Sequence, residues 1–165
     1  MGDRLLTVVT VISALGCGLI AGVFYAFSTF VMGALGRLPA PQGIAAMQSI
    51  NIVVINPLFL GVFVGAAVLC ALLAAGALFG WAGPHPTLML TGAVLYVVGT
   101  FLVTMAFNVP RNDALAALDP AGADAAAYWA RYLASWTAWN HVRTAAALAA
   151  AACFTLALRW PAASA

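Results

Sequence analysis

Hydrophobic positions run through this chain in four long blocks, roughly residues 5–32, 57–80, 87–107 and 141–160, parted by more polar segments. Each block is close to the ~20 residues that an α-helix needs to cross ~30 Å of hydrocarbon. None of them holds an acidic side chain or a lysine. Lipid offers the backbone no hydrogen-bonding partner, so a chain that crosses it does so as helices that satisfy their own bonds. The pattern predicts an all-α fold: a four-helix transmembrane bundle, one integral membrane domain over residues 1–165.

Polar punctuation refines the boundaries. Gly36, Pro39 and Pro41 end the first span, because proline denies the helix an amide donor and restricts the residue before it. Residues 42–55 read as a short interfacial helix between spans 1 and 2, too polar for a good span, with Gln48 and Asn51 on one face at i,i+3. Asn56-Pro57 signals the next start, since asparagine caps free amides and proline suits the first helical position. Residues 81–86 form a tight connection whose Trp81 suits the lipid–water interface. The third span is expected to end near Asn108-Val109-Pro110, leaving 111–123 outside the membrane with Asp113 and Asp119. Asp124 can cap a helical extension, which is expected to run unbroken into span 4 because neither glycine nor proline intervenes before Pro161. Ala14, Gly18, Gly22 and Ala26 recur every four positions, and Gly61 and Gly65 repeat the spacing. Such grooves let helices approach closely, within one chain or between copies.

Composition narrows the class further. Hydrophobic residues make up 65%, charged residues 6%, and mean hydropathy is +1.07, against roughly 45–50% apolar and ~25% charged in soluble domains. A formal charge of +2 is too small and too dispersed for nucleic-acid binding, which needs a concentrated basic face. The bilayer is the first partner implied. The first block exceeds the ~7–15 apolar residues of a signal-peptide core, so it reads as a retained span. Cys17, Cys70 and Cys153 fall in three different spans without the spacing of a zinc site or redox pair. An even number of crossings puts Arg4, His85 and Arg159 at one edge and Arg37, Arg111, Arg131 and Arg143 at the other. Counting positive charge assigns that second edge to the cytoplasm, provided all four arginines act as topology signals.

Candidate chemistry collects at the second edge. Span 3 carries Gly92, Tyr96, Thr100, Thr104 and Asn108 at successive i+4 positions, a small and polar stripe. Threonines in a span commonly just bond the preceding turn; Asn108 is harder to dismiss. On the last helix, with Trp129 at zero and ~100° per residue, Tyr132 falls at ~300°, Trp136 at ~340°, Trp139 at ~280°, Asn140 at ~20° and Arg143 at ~320°. These six form one face of aromatic walls, an amide and a fixed cation, whereas His141 at ~120° points elsewhere. Tryptophans at an interface often only anchor. An inward arginine on the same stripe adds nothing to anchoring, and it needs a partner, for which Asp113, Asp119 and the carbonyls of Asn51 and Asn108 are the candidates. Gln48, Asn51, Asn56, Asn108, Asn112, Asn140 and Arg143 thus converge beside aromatic surface, as a flat, mostly apolar ligand with oxygen atoms requires. No metal is expected: the two histidines lie at opposite edges, and His141 with Asp113 would lack the third ligand that zinc or copper normally takes.

Five segments in order, residues 24–28 (FYAFS), 47–51 (MQSIN), 56–59 (NPLF), 108–115 (NVPRNDAL) and 136–143 (WTAWNHVR), resemble the anthrone oxygenase-like integral membrane family, formerly described as a domain of unknown function. The likeness covers nearly the whole chain. It implies a multi-pass protein of a bacterial cell membrane whose fungal relatives are assigned to oxidation of an anthrone to an anthraquinone with molecular oxygen. On that reading the partner is a hydrophobic aromatic small molecule and no cofactor is required. Arg143, Asn108 and Asn140 would stabilise an enolate oxyanion, and Tyr132, Trp136 and Trp139 would stack on the rings. Gln48, Asn51, Asn56 and Asn112 would complete the substrate site, and Asp113 or His141 would supply the base. The rival expectation is a non-catalytic membrane module that binds a quinone, lipid or protein partner in the same pocket. Transport is disfavoured by the lack of broken-helix pairs and of a buried acidic relay.

Overall fold

A computed structural model describes residues 2–159; Trp160 and Pro161, which the sequence reading used as the end of span 4, lie outside the described residues. Five helices account for the described chain. Helix α1 runs through Gly2–Ala26, a wide π-helical segment Phe27–Val31, and Met32–Gly36. A short helix α2 covers Ala40–Val53, and α3 covers Pro57–Leu78. Helix α4 is composite: Pro86–Tyr96, two π-helical segments Val97–Leu102 and Thr104–Asn108, and Val109–Ala116. Helix α5 is the continuous Ala125–Arg159.

Four of these helices are long and apolar enough to cross a membrane. They form a closed ring in which α1 packs on α5, α5 on α4, α4 on α3 and α3 back on α1. The membrane core joins Cys17, Ile20 and Phe24 of α1 with Phe63 and Cys70 of α3, Tyr96 of α4 and Phe154 of α5. A second core sits at the far end, where Ile44 and Met47 of α2 pack with Met32, Leu115, Trp129, Tyr132 and Trp136. The interfacial helix expected between spans 1 and 2 is therefore a cap on the bundle, and the helical extension before span 4 is present. Asn56 caps α3 as expected, its Oδ1 accepting from the amides of Leu58 and Phe59 at 3.1 and 3.0 Å. The turn from α3 to α4 uses Gly80 and Gly83 at φ +81° and +70°, left-handed values that glycine adopts without steric cost.

One expectation is corrected and a second is narrowed. The third span does not end at Pro110; the helix continues to Ala116. The π-helical turn at Thr104–Asn108 holds one residue more than an α turn, so the proline ring clears the turn before it and its missing amide costs no regular bond. Arg111 Nη1 then donates to the Phe107 carbonyl at 2.6 Å. The expectation narrowed is that of the glycine grooves, open between packing within the chain and between copies. A Cβ built on Gly18, Gly22, Gly61 or Gly65 meets nothing within 4 Å, so these positions pack against no helix of the same chain. Close approach instead uses Gly99, whose built Cβ would lie 2.6 Å from that of Ala146, and Gly92, 3.0 Å from Phe154. Spacing alone marks a groove but does not say which side of the helix meets a neighbour.

Candidate functional site

Helix α5 presents the face its periodicity predicts. Trp129, Tyr132, Trp136, Asn140 and Arg143 are all buried, at successive steps of three or four residues, while His141 is exposed. Trp139 departs from the expectation. At the margin of the arc it is only half-buried, and it stacks on Phe107 with ring centroids 3.6 Å apart, outside the cavity described below.

Arg143 is 3% exposed. Its Nη2 donates to Asn140 Oδ1 at 2.5 Å and its Nη1 to Thr104 Oγ1 at 3.3 Å. The guanidinium carbon lies 4.1 Å from the Phe24 ring centroid and 4.9 Å from that of Trp136. The partner is thus a neutral amide, a hydroxyl and two rings, and not the aspartates or asparagine carbonyls considered from the sequence. Asn140 is itself fixed from α1: its Nδ2 donates to the Phe24 carbonyl at 2.6 Å and to Ser28 Oγ at 2.7 Å. Ser28 stands in the π-helical turn of α1, and Thr104 opens one of those in α4. Wide turns of this kind often mark functional sites because they re-aim side chains.

Above this centre, Asn112 Oδ1 accepts from both Tyr132 Oη at 2.9 Å and Trp136 Nε1 at 2.8 Å. Asn108 Nδ2 donates to the Trp136 carbonyl at 3.3 Å. Gln48 Nε2 reaches from α2 to the carbonyls of Leu115 and Leu118, at 2.9 and 3.0 Å, closing the end of α4.

A cavity of about 780 Å³ opens between α1, α2, α3, α4 and α5. Phe24, Phe27, Phe59, Phe63 and Trp136 give it ring surface; Gln48, Asn51, Thr104, Asn112, Asp113 and Arg143 give it polar groups. Its volume is within the ~300–1,000 Å³ of small-molecule sites, and the mix of apolar wall with a few convergent polar groups is typical of them. Ile52 and Ile55, 73% and 69% exposed, stand on its rim. Two buried polar atoms of cavity-lining residues lack a partner: Arg143 Nε and Asn51 Nδ2. An unpaired buried donor costs ~1–3 kcal/mol.

The sequence-expected residues divide accordingly. Arg143, Gln48, Asn51, Asn112, Trp136 and Asp113 meet at the cavity. Asn140, Asn108 and Tyr132 stand behind its wall and hold lining groups. Asn56, with Oδ1 used in the helix cap and Nδ2 bonded to the Val53 carbonyl, lies off the cavity, as does Trp139. His141 lines a separate groove, apart from Asp113; among the described residues no three metal-ligating side chains cluster. The phenylalanine wall and the role of Thr104 were not read from the sequence. Phenylalanines in a span carry no signal that separates a cavity wall from core.

No curated protein and no solved structure matches this chain. The family model described as anthrone oxygenase matches residues 59–153, a stretch that takes in α4, nearly all of α3 and most of α5, and with them Thr104, Asn112, Asp113, Trp136, Asn140 and Arg143. A helical bundle with four apolar spans and a polar-aromatic cavity on those helices belongs, on this match, to the anthrone oxygenase family.

Proposed function

We propose that this protein is a membrane oxidoreductase whose cavity holds a flat, mostly apolar aromatic or polyketide-type molecule and oxidises it with molecular oxygen. The observation that carries the reading is Arg143: a buried guanidinium without a carboxylate partner, pressed against two rings, with its Nε unbonded, on the wall of a largely apolar cavity. A cation at membrane depth is costly and usually functional. A ligand oxygen that gains negative charge would supply the missing partner.

In an anthrone-type substrate the methylene beside the rings is acidic because its anion is an enolate, with charge on the carbonyl oxygen. Arg143 is held by Asn140 and Thr104 before any substrate arrives, and donors fixed in advance stabilise developing charge most effectively in a water-poor site. Asp113, exposed at the cavity rim, would accept the proton. The phenylalanines and Trp136 offer stacking surface to the rings. The electron-rich enolate then reacts with oxygen: one CH2 and one O2 become one C=O and one H2O, so no outside reductant is consumed.

The test is oxygen uptake by the purified protein in mild detergent with an added anthrone. The reading predicts anthraquinone formed in equal amount to oxygen consumed, and its loss in Arg143→Ala. Saturable binding of the anthrone without turnover above the detergent blank would replace the oxidase with a binding module.

A further inference from the structure

A second concavity, about 590 Å³, runs along the outside of the bundle between α1 and α5 and shares no residue with the cavity. Its depth in the membrane follows from α3. That helix has 22 residues, or ~33 Å at ~1.5 Å per residue, so its two ends mark the edges of a ~30 Å hydrocarbon layer. Phe63 then lies ~9 Å inside the Pro57 edge, and its ring centroid is 6.2 Å from that of Phe24 on α1. Counting outward along α1 from Phe24, Ser28 and Thr29 fall near the edge and Arg37 falls ~10 Å outside it. Asn140 bonds the Phe24 carbonyl and Ser28, so His141 sits just inside the edge and Thr137 at it. The groove thus spans the headgroup layer, which is ~5–8 Å thick on each side.

Its chemistry matches that depth. Arg37 stands at the outer end, His141 at the inner end, and the hydroxyls of Thr29 and Thr137 lie between them; none of the lining residues is acidic. Gly33 keeps the floor low, and a Cβ there would meet nothing within 4 Å. We propose that this groove binds the headgroup of an anionic phospholipid, with Arg37 on the phosphate and the Thr137 and His141 side chains on the glycerol and ester oxygens. Arginine suits phosphate because its planar fork gives paired bonds, and basic pockets between spans at headgroup level take acidic lipids.

The experiment is native mass spectrometry of the full chain in detergent with equal amounts of phosphatidylglycerol and phosphatidylcholine. The proposal expects one phosphatidylglycerol retained in preference to phosphatidylcholine. Arg37→Gln should weaken that preference about fivefold, the effect of one cation beside acidic headgroups. Gly33→Leu, which puts a bulky side chain on the groove floor, should abolish it, while Arg4→Gln at the opposite membrane edge should leave it intact. Equal retention of the two lipids would overturn the proposal, as would a preference that survives Gly33→Leu or falls as far in Arg4→Gln as in Arg37→Gln. Displacement of the lipid by millimolar inorganic phosphate would reassign the groove to the free anion and overturn it too.

Discussion

Replacing Arg143 by methionine separates what the guanidinium does for the fold from what it does in the cavity. The substitution removes the bond to Asn140 at 2.5 Å and the longer one to Thr104 at 3.3 Å, together ~3–5 kcal/mol for charged hydrogen bonds with the long one counted low. It also removes contacts with Phe24 and Trp136 at 4.1 and 4.9 Å, worth about 2 kcal/mol for a desolvated cation. Against these stand the several kcal/mol needed to keep a cation dry and the ~1–3 kcal/mol of its unbonded Nε. The opposing terms nearly cancel, so the variant should fold and its unfolding free energy should change by no more than about 2 kcal/mol, or less than ~8 °C in apparent melting. Turnover of an added anthrone should fall ~10²–10³-fold, the loss typical of one oxyanion donor. Intrinsic tryptophan fluorescence on heating and anthraquinone absorbance provide the two readouts. If Arg143→Met collapses the fold, the arginine is a structural strut; if it turns over within threefold of the parent, the oxygen of the substrate is not at Arg143.

Other substitutions probe the surroundings. Asp113→Asn, at an exposed rim position, should leave melting and KM unchanged while kcat drops ~100-fold or more; an unchanged kcat would remove Asp113 as proton acceptor. Trp139→Ala loses the stack on Phe107 and should cost about 2 kcal/mol for a half-buried ring, with KM within twofold, whereas a large rise in KM would place Trp139 in the substrate site. Gln48→Leu strips the donors from the Leu115 and Leu118 carbonyls. Hydrogen exchange over residues 40–53 should accelerate as α2 loosens, and unchanged protection would show that Gln48 does not pin it.

The spans and the α5 face were legible because both follow from a period of 3.6 residues acting over long segments: Trp129, Tyr132, Trp136, Asn140 and Arg143 are buried where the wheel puts them. Trp139, at the edge of that arc, shows its limit, since a flexible side chain there is claimed by the nearest ring and not by the cavity. Pro110 misled for a different reason. A proline ends a regular helix, but nothing local announces a π-helical turn one residue upstream that accommodates it. Gly18, Gly22, Gly61 and Gly65 carry a packing spacing yet face away from the chain's own helices, which only the ring order of the bundle decides. Thr104 was assigned the ordinary role of bonding its own helix, and it does bond the Thr100 carbonyl at 2.7 Å. Its second role, accepting from Arg143, depends on how α4 and α5 meet.

The most direct measurement uses a hydroxyanthraquinone as a coloured reporter, because its visible spectrum distinguishes phenol from phenolate. Titrated while bound to the parent protein and to Arg143→Met, the dye experiences the same apolar walls, so the difference between its two ionisation midpoints isolates the guanidinium. The account predicts that the phenol ionises at least one pH unit lower in the parent, about 1.4 kcal/mol of stabilisation of the bound oxyanion. Equal midpoints in the two proteins, with the dye bound in both, would mean that Arg143 does not face the ligand and would contradict the account at its centre.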